Sequence, residues 1–249
     1  MDDDQFRDAM RAIGFGGSAF AVLRANPGLR PLAASEQIAD RLSEDIAREI
    51  LPPLTPLREQ ALAERFGVSR GPIRDALRLL ERDALVRVSP NRGAVVTRYS
   101  AADMRQIADL SRPITRLTLS HVTQRASDAA MADMGAAQER TGRLLHHEDP
   151  VAFALAVAAI TMAQARFSTG RHGEMILQLL YRPSIRYTVT GLRRPGAADR
   201  AAGRWARHLA AMRDRDPDAA SDAFLSMLRE IHMPVILRDE RQHPPTQAY

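Results

Sequence analysis

The sequence has no cysteine and no lysine, and only 5% of its 249 residues are aromatic. Without cysteine, neither a disulfide framework nor a thiolate metal site can form. A core built from Leu, Ile, Val, Ala and Met favours helices packed on helices. The longest apolar stretch, Val151 to Ala163, is too short to span a bilayer, and the acidic start is the reverse of a signal peptide. We therefore expect a cytoplasmic protein with no membrane partner.

The missing lysine also shapes the charge of the chain. The 35 residues that make up the total of lysine and arginine are therefore all arginine, and the formal net charge is +5. Guanidinium groups suit bidentate contacts to phosphate and to guanine. A GC-rich genome would produce the same bias, so composition alone is weak evidence for a nucleic-acid partner.

The apolar pattern becomes helical after an opening segment. Residues 1–31 contain hints of a short helix and several turn signals, and we treat them as an N-terminal appendage. Ser35 is a candidate N-cap, and apolar residues then recur every fourth position from Ile38 to Ile50. Pro52 and the prolines after it end this helix.

Two more helices and a hairpin are predicted next. A helix over about 58–66 ends at Gly67, and only three residues separate it from the following helix. Stretches at 85–88 and 94–97 alternate apolar and polar residues around a Pro-Asn-Arg-Gly turn, which indicates a hairpin. This order of elements predicts a winged helix-turn-helix at residues 32–98.

Everything beyond the hairpin has a helical pattern. Asp149 and Asp216 each precede a proline, which is a strong helix-start signal. Pro113 should kink or split the first of the helices in this part. The predicted fold class is mainly α: an N-terminal winged helix-turn-helix, a C-terminal all-helical bundle over residues 99–240, and a tail at 241–249. Helices are predicted near 101–125, 127–147, 149–168, 172–191, 198–214 and 217–235.

Candidate DNA-binding residues cluster where a winged helix meets DNA. Arg70 and Arg74 lie one turn apart at the start of the third helix, opposite the apolar face that holds Ile73. The alternative is an ordinary solvated basic face. The other candidates, suited to phosphate or groove contacts, are Arg58, Ser69, Gly71, Asn91, Arg92 and Gly93.

The stretch from Leu57 to Glu81, LREQALAERFGVSRGPIRDALRLLE, closely resembles the DNA-binding domain of GntR-family regulators. The stretch PNRGAVV, from Pro90 to Val96, resembles the wing of that family. Gly71 replaces a usual threonine. The helical remainder is similar in length and helix pattern to the ligand-binding domain of the fatty-acid-regulator, or FCD, branch. This resemblance implies a homodimer, a pseudo-palindromic double-stranded DNA operator and a small-molecule effector, with repression more often than activation.

Many members of that branch hold a metal through one Asp and three His inside the bundle. By the same resemblance those positions fall at Val157, Thr161, Trp205 and Met227, none of which can replace such a ligand. We therefore expect no cofactor. An arginine on the first bundle helix can pair with an anionic effector, either an organic acid or an acyl thioester. The effector-binding candidates are Arg112, Arg116, Thr161, Trp205, His208 and Met227.

Three functions are compatible with these patterns. The first is a dimeric, ligand-responsive transcription regulator, which a metal assay and a search for turnover would separate from the second. The second is an enzyme tethered to DNA, which no Ser/His/Asp arrangement, phosphate loop or metal cluster supports. The third is a DNA-binding protein whose helical domain only dimerises, in which case no small molecule changes operator affinity.

Overall fold

The computed structural model describes residues 1–12, 33–89, 93–146 and 149–242. Its elements in chain order are α1 (Asp3–Ala12), α2 (Ala34–Ala47), β1 (Pro56–Leu57), α3 (Glu59–Phe66), α4 (Arg70–Arg82), β2 (Val86–Ser89), β3 (Gly93–Val96), α5 (Ala101–Arg125), α6 (Asp128–His146), α7 (Pro150–Leu192), α8 (Ala197–Arg213) and α9 (Pro217–Gln242). They form two compact units, one holding the described residues from 33 to 99 and the other holding residues 1–12 with those from 100 to 242.

The smaller unit is a winged helix-turn-helix, as the sequence predicts. Helices α2, α3 and α4 bury an aliphatic core that includes Leu42, Ile73 and Leu80. An antiparallel sheet of order β1-β3-β2 completes the unit. Strand β1, predicted only as an extended connection, pairs Leu57 with Ala94. The wing strand is therefore fixed to the chain just before α3.

Two local predictions in this unit are wrong. Helix α2 begins after Ala33, whose N–H donates to the Glu36 carboxylate at 2.8 Å, so Ser35 lies inside the first turn. The helix ends at Ala47, and Glu49 adopts a left-handed φ of 63°. The chain therefore turns before Ile50, whose side chain is 59% exposed instead of continuing the buried stripe.

The helical unit is arranged around α7. This 43-residue helix joins two predicted helices across a kink at Gly170, where φ is 67°. It is long and apolar enough to cross a membrane by length and composition, but 78% of its most apolar 18-residue window is buried against the other helices. Asp149 caps α7 by accepting the Ala152 N–H at 2.9 Å, as predicted. Pro113 does not split α5, which runs from Ala101 to Arg125.

Helix α1 belongs to the helical unit, although the sequence set residues 1–31 apart as an appendage. Phe6 and Met10 are fully buried, and the Phe6 ring lies 4.7 Å from the ring of Phe167 on α7. Arg7 Nε lies 2.8 Å from Asp133 Oδ2 on α6. The apolar face of α1 is thus part of the bundle core; residues 13–32 lie outside the described part of the chain.

Replacing Phe6 with alanine should destabilise the helical unit by about 3–5 kcal/mol, because the change leaves a cavity against Phe167. Urea unfolding followed by the fluorescence of Trp205, the only tryptophan in the chain, measures this loss. Gln5→Ala, at an exposed position of the same helix, is the matched control. Equal stability of the two variants would contradict the packing described for α1.

Candidate DNA-binding surface and interior of the helical unit

The apolar face of the recognition helix α4 determines which of its side chains are exposed. Ile73, Ala76 and Leu77 are buried against the smaller unit's core, which leaves Arg70 and Arg74 on the exposed side. Gly67 ends α3 in the left-handed conformation with φ 66°, as the sequence predicts. This close turn brings the first turns of α3 and α4 together.

Both arginines of α4 are held by side chains of α3. Arg74 Nε lies 2.8 Å from Glu59 Oε2, and Arg70 Nε lies 2.9 Å from Gln60 Oε1. Such exposed contacts contribute about 0–1 kcal/mol each, so DNA groups can replace them. The sequence analysis did not identify Glu59 or Gln60, because the contacts join residues 15 and 10 positions apart on different helices.

The other described DNA-binding candidates lie at the same end of the unit's helices. Arg58 and Ser69 occupy the N-cap positions of α3 and α4 and are exposed. The Ser69 hydroxyl makes no capping hydrogen bond. A Cβ at Gly71 would meet nothing closer than Ser69 Oγ at 3.9 Å, so this surface is open to a close approach. These positions remain predicted contacts.

Gly93 is required by the wing itself. Its φ is 77°, and an added Cβ would lie 2.8 Å from the carbonyl oxygen of Leu57. Only glycine fits this close approach of β3 to β1 without moving the backbone. The neighbouring candidates Asn91 and Arg92 lie outside the described residues.

The six predicted effector-binding residues do not form one site. Thr161, Trp205 and His208 line a central cavity of about 10 Å³, together with Val157. Met227 is fully buried but does not line this cavity, where Phe224 stands instead. Arg112 lines a separate groove between α5, α7 and α9. Arg116 is exposed and pairs with Asp222 of α9.

His208 is the central titratable group of this interior. Burial lowers its pKa to about 4, against the opposing hydrogen bond to the Ala220 carbonyl oxygen 2.9 Å away. The carbonyl can only accept, so Nδ1 carries the proton and Nε2 accepts from Gln138 Nε2 at 3.0 Å. Trp205 Nε1 donates to the Gln138 backbone oxygen at 2.9 Å. Trp205 and His208 are thus fixed as core residues.

The side chains at the centre do not fit the metal ion that the family resemblance implies. Val157, Thr161 and Trp205 supply no imidazole or carboxylate, and both ring nitrogens of His208 are already engaged. In the described part of the chain no group of three or more His, Asp or Glu could hold a metal ion. Two buried atoms beside the cavity, Gln138 Oε1 and Thr118 Oγ1, have no hydrogen-bond partner among the described residues.

The winged helix with exposed arginines at the start of α4 defines a DNA-binding domain, and sequence comparison identifies its type. The profile described as "Bacterial regulatory proteins, gntR family" matches residues 34–96, and the profile "FCD domain" matches residues 106–230. The chain belongs to the GntR family of DNA-binding transcriptional regulators, in its FCD-domain branch.

Individual relatives agree with this assignment. The chain is 31% identical over 111 residues to the uncharacterized HTH-type transcriptional regulator YdhC of Bacillus subtilis, which covers 45% of this chain and 50% of YdhC. It is 38% identical over 71 residues to the HTH-type transcriptional repressor RspR of Escherichia coli, covering 28% of this chain and 31% of RspR. The matches thus span half or less of these relatives.

Two solved structures share the fold. Escherichia coli McbR/YncC superposes with a TM-score of 0.67 at 19% identity, covering 86% of this chain and 100% of that one. A GntR transcriptional regulator from Rhodococcus sp. RHA1 gives a TM-score of 0.65 at 17% identity, covering 81% and 97%.

The buried histidines should make the helical unit sensitive to acid. The folded-state pKa of His208, about 4, lies below its ordinary 6.5, so the unfolded chain binds the proton first as pH falls. The free energy of unfolding therefore falls by roughly 3 kcal/mol on account of His208 as the pH drops from 6.5 to about 4. His208→Gln should therefore reduce the fall in unfolding free energy between these pH values.

His232, whose pKa burial also lowers to about 4, keeps its share of the slope in that variant. His172→Gln, at an exposed position of α7, is the control and should retain the slope of the unaltered protein. Urea unfolding by Trp205 fluorescence at several pH values measures all three proteins. An unchanged slope in His208→Gln would contradict the neutral buried histidine.

Proposed function

We propose that this GntR-family regulator is a repressor whose affinity for its operator changes when a small organic anion binds the helical unit. The observation that carries the DNA-binding part is the exposed pair Arg70 and Arg74 at the start of α4. A helix N-terminus presented in this way suits base edges and phosphates. The repressor sign is supported by the family resemblance and by the printed name of RspR.

The proposed assembly is a homodimer on a pseudo-palindromic operator. One recognition helix reads only a few base pairs, and two half-sites a helical turn apart multiply the specificity. The exposed face of α7 supports this proposal, because Met175, Ile176 and Leu179 are 55%, 48% and 50% exposed within five residues. A patch of this kind suits the same patch of a second copy.

The proposal includes a cytoplasmic protein that works without a metal cofactor and is not an enzyme. Membership of a family of transcriptional regulators supports the first and last points. The donor-poor centre around Thr161 and Trp205 supports the absence of a metal. The alternative, a helical domain that dimerises and senses nothing, predicts an operator affinity that no small molecule changes.

Arg74→Ala should weaken binding to an operator selected from random DNA by the unaltered protein. A lost base or phosphate contact costs about 1–3 kcal/mol, which corresponds to a 5- to 150-fold loss of affinity. Fluorescence anisotropy at fixed salt measures it. Arg78→Ala is the control, since Arg78 is also exposed on α4 but one turn further from the helix start. Equal losses in both variants would argue against this reading surface.

Leu179→Glu should convert the dimer to a monomer, because it places a charge in the apolar contact proposed for α7. Light scattering after size-exclusion chromatography gives the mass directly. Gln124→Glu adds the same charge at an exposed position of α5 and should leave the dimer intact. A monomeric unaltered protein, or a dimeric Leu179→Glu variant, would rule out this interface.

A further inference from the structure

A groove of about 280 Å³ lies between α5, α7 and α9, apart from the central cavity. Its inner part is formed by apolar side chains such as Met104, Leu180 and Ile236. Its rim carries three guanidinium groups, from Arg105, Arg112 and Arg229, and one carboxylate, from Asp109, so that it is cationic on balance. The groove thus combines an apolar floor with a cationic edge.

The polar groups at the floor are already engaged within the protein. Tyr181 Oη lies 3.2 Å from Thr115 Oγ1, and Ser184 Oγ donates to the Tyr181 carbonyl oxygen at 2.7 Å. His232 Nε2 lies 2.8 Å from Thr188 Oγ1. Because these partners are internal, the floor offers a ligand mainly apolar contact, and the rim offers the polar contacts.

The positive charge of the rim is only partly neutralised by neighbouring carboxylates. Arg105 is paired with Glu240 at 2.6 Å, whereas Arg112 has only a 3.8 Å contact with the exposed Asp109. Arg229 has no ion pair or hydrogen bond with any other described residue. A carboxylate bound at the rim can therefore gain charge-assisted hydrogen bonds without displacing an intimate ion pair.

The centre of the bundle cannot take such a ligand in this conformation. Its cavity of about 10 Å³ is the size of a single water, and no arginine lines it. Its only titratable side chain, His208, is buried and uncharged near neutral pH. The sequence placed Arg112 and the centre of the bundle in one anion site. Because only the groove offers arginines, we expect the anion to bind there and not at the centre.

We propose that the groove between α5, α7 and α9 binds a compact amphipathic carboxylate, with its head at Arg112 and Arg229 and its apolar body on the floor. The proposal rests on the effector response proposed above and gives it a site. At about 280 Å³ the groove is slightly smaller than most ligand pockets, which span about 300–1,000 Å³, so it suits a short acid better than a bulky acyl thioester. A second copy suits it less, because a two-fold contact centred on the groove would place the guanidinium rims against each other.

Sodium octanoate is the probe, titrated calorimetrically into the full chain without DNA. The Arg112→Gln, Arg229→Gln double variant should bind octanoate at least tenfold more weakly than the unaltered protein. Arg125→Gln is the control, because Arg125 is an exposed arginine of α5 that does not line the groove. Neutral 1-octanol should bind at least tenfold more weakly than octanoate and should not distinguish the variants.

Absence of octanoate binding, or equal binding by the double variant, overturns the proposed site. A double variant whose mass in light scattering differs from that of the unaltered protein shows a contact between copies instead. Operator affinity with and without octanoate is measured separately by anisotropy. Octanoate binding that depends on the rim but leaves operator affinity unchanged keeps the site and refutes the effector response.

Discussion

The helical unit depends on the need to remove α7 from water. Its most apolar window has a mean hydropathy of 1.5, and α1, α5, α6 and α9 all pack against it. Thr161, a polar residue of α7 in this interior, is satisfied within its own helix, because its Oγ1 donates to the Val157 carbonyl oxygen at 2.8 Å. Because helices enclose the centre on many sides, it is closely packed, and burial there keeps His208 neutral. Charge and free volume are therefore found together at the margins of the bundle.

The sequence predicts the smaller unit well because its signals are local. Gly67 marks the turn between α3 and α4, and the period of the apolar residues sets which face of α4 is buried. Strand β1 was missed because two residues that include Pro56 have no detectable period. The docking of α1 was missed for a different reason: Phe6 meets a partner 161 residues away in the chain, and no local pattern encodes that contact.

The candidate site residues also differ in whether a local pattern or the packing of several helices determines their position. The exposure of Arg70 and Arg74 follows from the amphipathic pattern of one helix and was predictable. The effector candidates required the relative register of several helices, which local patterns do not fix. Phe224 lines the central cavity where Met227 was expected, a difference of three residues or nearly one helical turn. Arg112 lies on α5, as expected, but on the face of that helix that lines the groove and not on the face toward the central cavity.

The position of α1 changes how the chain is divided. The helical unit contains residues from before and after the winged helix-turn-helix, so the DNA-binding domain is an insertion within its sequence. Both ends of the inserted domain are covalently connected to the same helical body, instead of one end being free. A helical fragment that starts at Ser100 would lack Phe6 and Met10 and would expose the apolar surface they cover. The helical unit is therefore discontinuous in sequence, and separating it from the DNA-binding domain requires excision from the middle of the chain.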